Sequence, residues 1–334
     1  MKPREIVENA FKLQQSERLP FCPLIGVHSA VILNVNPRIA FTRAEVMAKL
    51  QEKITYYYEV DCVFPFMDLT VEAEALGCKI TWNNGPSILE HLSLDDVRNI
   101  EPEINGKGRI PIFLETVKIL SEKLASNYMI GAYVSGPLTL SANLMGVENM
   151  LKWIISKREF SRRMIEFSKI VCEKYSILLI ESGADTIMIL EPVGALISQR
   201  HFNEYLLKPL KSLVNTIEKK GVWSILHICG DANHILMSMA LSDAHSLSID
   251  EAVKLKNAFL TAKNNSIMGN ISTKTILTSF PDHIKNICEE IIREADKTRF
   301  IFSSGCEVPP HTPPENIKIM SRVVKYTRVD SNFW

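Results

Sequence analysis

The chain has no surplus of either charge: 38 Lys and Arg balance 38 Asp and Glu over 334 residues. That balance gives no strong field for nucleic acid or an anionic membrane surface, so neither partner is expected. No window is apolar enough to suggest a membrane span. The N-terminus, MKPREIVENAFKLQQSERLP, lacks the unbroken apolar stretch of an export signal, and a cytoplasmic location is expected. The seven cysteines are odd in number and follow no framework spacing, which argues for reduced thiols over a disulfide scaffold. Cys22, Cys62, Cys78, Cys172 and Cys288 lie in or beside apolar runs and read as buried small hydrophobes. Internal repeats and low-complexity linkers are also missing. So is the G-x-G-x-x-G turn that a doubly wound dinucleotide-binding sheet would want.

What is present is alternation. Short apolar runs at 21–26, 62–68, 129–137, 185–192, 223–231, 245–251, 266–272 and 299–308 are separated by amphipathic segments. Each run is continuously apolar, as a parallel strand covered on both faces should be. The intervening patterns at 42–60, 158–183, 198–221 and 281–296 have helical spacing, two of them closed by Gly183 and Gly221. A last helix is expected near Pro313, with Thr312 and Glu315 as a capping box. Eight such units predict an α/β chain folded as one (β/α)8 TIM barrel over 1–334. Residues 69–110 are extra after the second strand; WNNGPS within them reads as a hairpin turn, so an insertion at the barrel mouth is expected.

In such barrels chemistry sits at the carboxyl ends of the strands. The run at 223–231 ends in HICGD, placing His227 and Cys229 two residues apart. In an extended strand those side chains point the same way, and both are ligands for a borderline-soft metal such as zinc. The run at 299–308 ends in SSGCEV, placing Cys306 where it can meet them across the mouth, and the run at 185–192 ends with Glu191. His234 and His311 fall in exposed loop or helix-start positions and read as surface residues.

The ligand types select a chemistry. Zn2+ with two thiolates and a neutral imidazole is formally neutral, a poor generator of hydroxide compared with hydrolytic sites. It is suited to binding a substrate thiol, removing its proton and leaving the sulfur electron-rich. A free thiol with a pKa of about 8.5 is only slightly ionised at neutral pH, so such a site fits alkyl transfer to sulfur.

HICGD and GCEVPPHTPPENI resemble the methylcobalamin:coenzyme M methyltransferases of the uroporphyrinogen decarboxylase superfamily. ERLPFCPLIG, DLTVEAEALGC and VSGPLTLSANLMG extend the resemblance along essentially the whole chain. It implies a (β/α)8 barrel with His227, Cys229 and Cys306 as zinc ligands. Glu191 is then the candidate catalytic carboxylate and fourth ligand. It also implies a methyl-corrinoid co-substrate carried by a separate corrinoid protein, and a small-molecule methyl acceptor such as coenzyme M. Homocysteine or tetrahydrofolate as acceptor, and a non-catalytic zinc-stapled binder of the corrinoid protein, are the alternatives. Two departures narrow the reading. The R-Q-A-G-R segment with which the decarboxylases hold propionates is replaced by GVHSAVILNVNPR, so a many-carboxylate tetrapyrrole lacks its clamps. DAHSLS at 243–248 is close to the cobalt-ligating D-x-H-x-x-G of corrinoid carriers but lacks the glycine and falls on a predicted strand, so the corrinoid is expected on a partner.

Overall fold

The computed structural model describes residues 1–83 and 85–327. The strands in chain order are β1 (Cys62–Val63), β2 (Lys79–Thr81), β3 (Ser87–Glu90), β4 (Met129–Ser135) and β5 (Thr186–Leu190). They continue as β6 (Trp223–Ile228), β7 (Ser246–Ile249), β8 (Ser266–Ile271) and β9 (Phe300–Ser304). Among the described residues, seven form one parallel sheet in the order β1-β4-β5-β6-β7-β8-β9, while β2 and β3 make a separate antiparallel ribbon. Helices cover the outside, including Ala44–Tyr58, Ile110–Leu124, Arg158–Glu181, Leu207–Glu218 and Pro281–Glu294. No helix among the described residues is long and apolar enough to cross a membrane.

The sheet is curled, because one segment touches both of its edges. Phe21 makes a parallel bridge to Phe302 of β9, and its carbonyl accepts from the Asp61 N–H just before β1. The strand expected at 21–26 is thus reduced to a single bridge. Pro20 and Pro23 flank it and have no N–H to give, so the ladder cannot lengthen. Pro65 limits the run expected at 62–68 to the two residues of β1 in the same way.

Side-chain alternation divides the core in two. On β5, Met188 and Leu190 join an inner cluster with Cys22, Cys62, Ile225, Met268 and Ile301. Ile187 and Ile189 belong instead to the larger cluster shared with the outer helices. Both faces are buried, which is why the runs read as continuously apolar. The helix Pro3–Phe11 sends Val7, Ala10 and Phe11 into the inner cluster, and Arg4 holds it there with two hydrogen bonds to Asp185 at 2.8 and 2.9 Å.

Residues 69–110 hold the helix Val71–Ala75, the ribbon and the helix Leu94–Asn99; Asn84 of the expected hairpin turn lies outside the described residues. The segment is tied to the end of β4, where the Ser135 N–H donates to Glu72 Oε1 at 2.7 Å. The last helix, Pro314–Tyr326, begins later than expected, with Pro313 as its N-cap. The expected capping box does not form: the buried Thr312 hydroxyl has no hydrogen-bond partner.

Candidate metal centre

β6 alternates as its sequence demands. Leu226 and Ile228 face the outer helices and Ile225 faces the axis, so His227 and Cys229 share the inward parity. Cys306 follows β9 by two residues. The ligand atoms of His227, Cys229 and Cys306 all lie within 4.8 Å of one another. The structure therefore brings together three of the four residues singled out from sequence, from two strand ends.

The imidazole is prepared for a ligand. His227 is buried, and its Nδ1 is 3.0 Å from the Ser248 hydroxyl of the neighbouring strand β7. Its Nε2 is buried with no partner at all. An orphaned buried nitrogen costs roughly 1–3 kcal/mol unless something occupies its lone pair. Two thiols within reach and an unused imidazole nitrogen fit a soft or borderline cation.

The thiols differ from every other cysteine in the chain. Cys22, Cys62, Cys78, Cys172 and Cys288 are buried, as their apolar surroundings suggested, and burial pushes each thiol pKa up. Cys229 and Cys306 are only partly buried. The neighbouring Cys306, and then the His227 ring, pull Cys229 down to about 5, while Cys229, and then burial, push Cys306 up.

The loop bearing Cys306 is held from the proline-flanked segment opposite. Leu24 donates to Ser304 Oγ at 3.1 Å, Val308 donates back to the Leu24 carbonyl at 2.8 Å, and Val27 donates to Glu307 Oε1 at 3.1 Å. His28 Nδ1 donates to the Pro310 carbonyl at 3.0 Å, leaving Nε2 to accept from the Tyr58 hydroxyl at 2.8 Å. Burial pushes Glu307 up to about 7, with the charge of Asp68 adding to the effect. Behind Cys229, Asp250 at the end of β7 accepts from the Gly230 N–H at 2.8 Å and fixes the turn that follows the thiol.

Glu191 is not part of this cluster. It is fully buried, with Oε1 accepting from the Thr139 N–H at 2.7 Å and from the Thr139 hydroxyl, and Oε2 accepting from the Leu138 N–H at 3.0 Å. Those donors open the helix Pro137–Met145, so the carboxylate caps a helix N-terminus. Burial nevertheless pushes its pKa up to about 7. His234 and His311 are exposed, as expected, and His234 Nε2 donates to the Ile197 carbonyl at 3.0 Å. His245 sits just before β7, at the opposite end of the strands from His227, with Nδ1 2.9 Å from the Ser224 hydroxyl.

Ser248 and Asp250 were not legible in the sequence as site residues. The signal lay in strand register: His227 pairs with Ser248, and neighbours paired in a parallel ladder present side chains to the same face.

Residues 2–326 match the uroporphyrinogen decarboxylase (URO-D) family. The methylcobamide:CoM methyltransferase MtaA of Methanosarcina barkeri is 31% identical over 84% of each chain. MtbA of Methanosarcina acetivorans, a methylcobamide:CoM methyltransferase as well, is 27% identical over 97% of each. A solved methyltransferase from Methanosarcina mazei superposes with a TM-score of 0.90 at 27% identity, covering 97% of this chain and 98% of its own. Family match, identity and fold agree: the chain belongs to the uroporphyrinogen decarboxylase family and, within it, to the methylcobamide:CoM methyltransferases.

Proposed function

We propose that the chain moves a methyl group from a methylated corrinoid, carried by a separate corrinoid protein, to a small thiol, with Zn2+ held by His227, Cys229 and Cys306. Coenzyme M, named for the relatives, is the acceptor favoured. The observation carrying this reading is the partnerless Nε2 of His227 facing two thiols at the ends of β6 and β9. Zn2+ there would favour the thiolate form of a thiol presented to it while two cysteine thiolates keep that sulfur electron-rich.

The chain's own groups have separable tasks. With Zn2+ on Nε2, Nδ1 would carry the ring proton and donate it to the Ser248 hydroxyl 3.0 Å away. Zn2+ would draw the thiol protons off the Cys229 and Cys306 pair, because the thiolate is the metal-ligating form. Asp250 and the 24–28 segment fix the turns bearing the two sulfurs. The reaction then balances simply. The acceptor S–H proton leaves to solvent, the sulfur lone pair forms the S–CH3 bond, and the cobalt–carbon pair stays with cobalt, taking Co(III) to Co(I). The single catalytic domain spans the barrel, with 69–110 as an excursion at its mouth.

Calorimetry of coenzyme M binding in two buffers of different ionisation enthalpy tests the reading. Zinc-loaded wild type should release about one proton near neutral pH, because an ordinary thiol is mostly protonated there. Cys306→Ala should lose that release and methyl transfer together, with circular dichroism little changed. Tight coenzyme M binding without proton release would refute the mechanism.

A further inference from the structure

Cysteines occur in two neighbouring pairs, and only one pair faces water. Cys22 and Cys62 meet in the inner cluster, 2% and 4% exposed, closed in by Val7, Phe11, Phe64 and Met268. Cys229 and Cys306 are the two cysteines of the seven that are not buried. Their sulfurs lie within 4.8 Å of each other, although they follow the ends of different strands. A disulfide bond is about 2.0 Å long, so the gap left to close is the reach of a side-chain rotation and a slight shift of the two turns.

The two sulfurs are not equally reachable. Cys229 lines an open cleft of about 470 Å³, with Val147, Pro192, Val193 and Leu196 as apolar walls. Cys306 is not among those walls, and its loop is tied down by the bonds that Leu24 and Val27 make to Ser304 and Glu307. A small uncharged reagent entering from solvent therefore meets the Cys229 sulfur first. Asp231 at the rim and Asp250 behind the turn disfavour an anionic one. Access from solvent and a second thiol beside the first are what open a cysteine to thiol–disulfide exchange.

We propose that, when no metal holds them, Cys229 and Cys306 form an intramolecular disulfide by exchange with a small neutral disulfide, Cys229 attacking first and Cys306 resolving. The Cys229 sulfur, as thiolate, displaces one half of the reagent and keeps the other half as a mixed disulfide. Cys306 then attacks the Cys229 sulfur, and the second half leaves. Each leaving thiolate takes up a proton, matching the one that each cysteine gave to solvent. Two thiols of the chain are oxidised, and one reagent disulfide is reduced to two thiols. Zn2+ on both sulfurs would occupy the lone pairs that exchange requires, so metal loss and oxidation form one switch. The pairing goes beyond methyl transfer: it needs only the two thiols and the cleft.

Bis(2-hydroxyethyl) disulfide is the probe, and peptide mass spectrometry after alkylation in denaturant is the readout, so no turnover is needed. The full chain, stripped of zinc with a chelator, should lose two of its seven free thiols and yield one Cys229–Cys306 link carrying no reagent. The zinc-loaded chain should link at least ten-fold more slowly. Cys306→Ser should trap one reagent thiol on Cys229. In Cys229→Ser, the remaining Cys306 should react at least ten-fold more slowly than Cys229 does in Cys306→Ser. Mixed disulfides on both cysteines without a link, a Cys22–Cys62 link in its place, faster labelling of Cys306, or equal rates with and without zinc would each overturn the proposal. A wild type that behaves as expected yet transfers no methyl group to any thiol leaves the switch standing and removes the proposed function.

Discussion

A histidine can offer a metal only one nitrogen cleanly, and here the choice is made by a hydroxyl one strand away. With Ser248 Oγ 3.0 Å from Nδ1, that nitrogen is engaged, and Nε2 is the one left to a metal beside Cys229 and Cys306. Partners of this kind typically cost 10–100-fold in metal affinity when removed. Ser248→Ala should therefore weaken zinc binding by about that factor, measured by competition with a chelator, while the melting curve of the metal-free chain moves little. Unchanged affinity would mean that the ring is oriented by packing alone. At this scale the sequence was most legible where candidate ligands sit in one strand: H-x-C declares its geometry through the two-residue period of an extended chain. Cys306 needed the barrel as an intermediate. Ser248 was out of reach because the residue facing His227 depends on which strand lies beside β6 and in what register.

Among elements, the helix Pro137–Met145 shows how a residue at a strand end can serve the fold. Its first N–H groups converge on Glu191, and Gly136 leaves no room for a Cβ against that carboxylate. A carboxyl whose folded pKa is raised, here from 4.5 to about 7, binds its proton more tightly in the folded chain. Its contribution to stability is full below about pH 4.5 and is lost as pH rises through about 7. Glu191→Gln cannot ionise, so it lacks this loss. From pH 5 to pH 8 the melting temperature of wild type should therefore fall relative to that of Glu191→Gln. Zinc content should be unchanged if the side chain is a cap, whereas a drop in zinc per chain would restore Glu191 as a ligand. Position at a strand's carboxyl end made Glu191 a candidate; what the position could not reveal was that the next helix starts directly over it. The same limit applies to Thr312, whose spacing to Glu315 suits a capping box although the helix starts one turn position too late to use it. Proline acted the other way at 20–23 and 65, shortening strands that hydrophobicity alone extended.

For the whole molecule, the two ends of the curled sheet do different work. The candidate metal centre lies at the carboxyl ends of β6 and β9, while the helix Pro3–Phe11 stops the amino ends. Phe11 is buried there and stacks on Trp223, the first residue of β6, with ring centroids 5.3 Å apart. From Trp223 to the end of β6 is a rise of roughly 16 Å, so changes at Phe11 reach the sulfurs only through the strand itself. Removing a buried aromatic side chain typically costs about 3–5 kcal/mol. Phe11→Ala should accordingly lower the melting temperature substantially. At a temperature where circular dichroism shows the variant fully folded, it should still bind one zinc per chain and release a proton with coenzyme M. In barrels of this kind stability and catalysis are assigned to opposite ends of the strands, and that division predicts the split. The contrary result, zinc lost from a folded Phe11→Ala chain, would mean that the inner cluster transmits strain along β6 to His227 and Cys229. The plug at the amino end would then be part of the metal site's support.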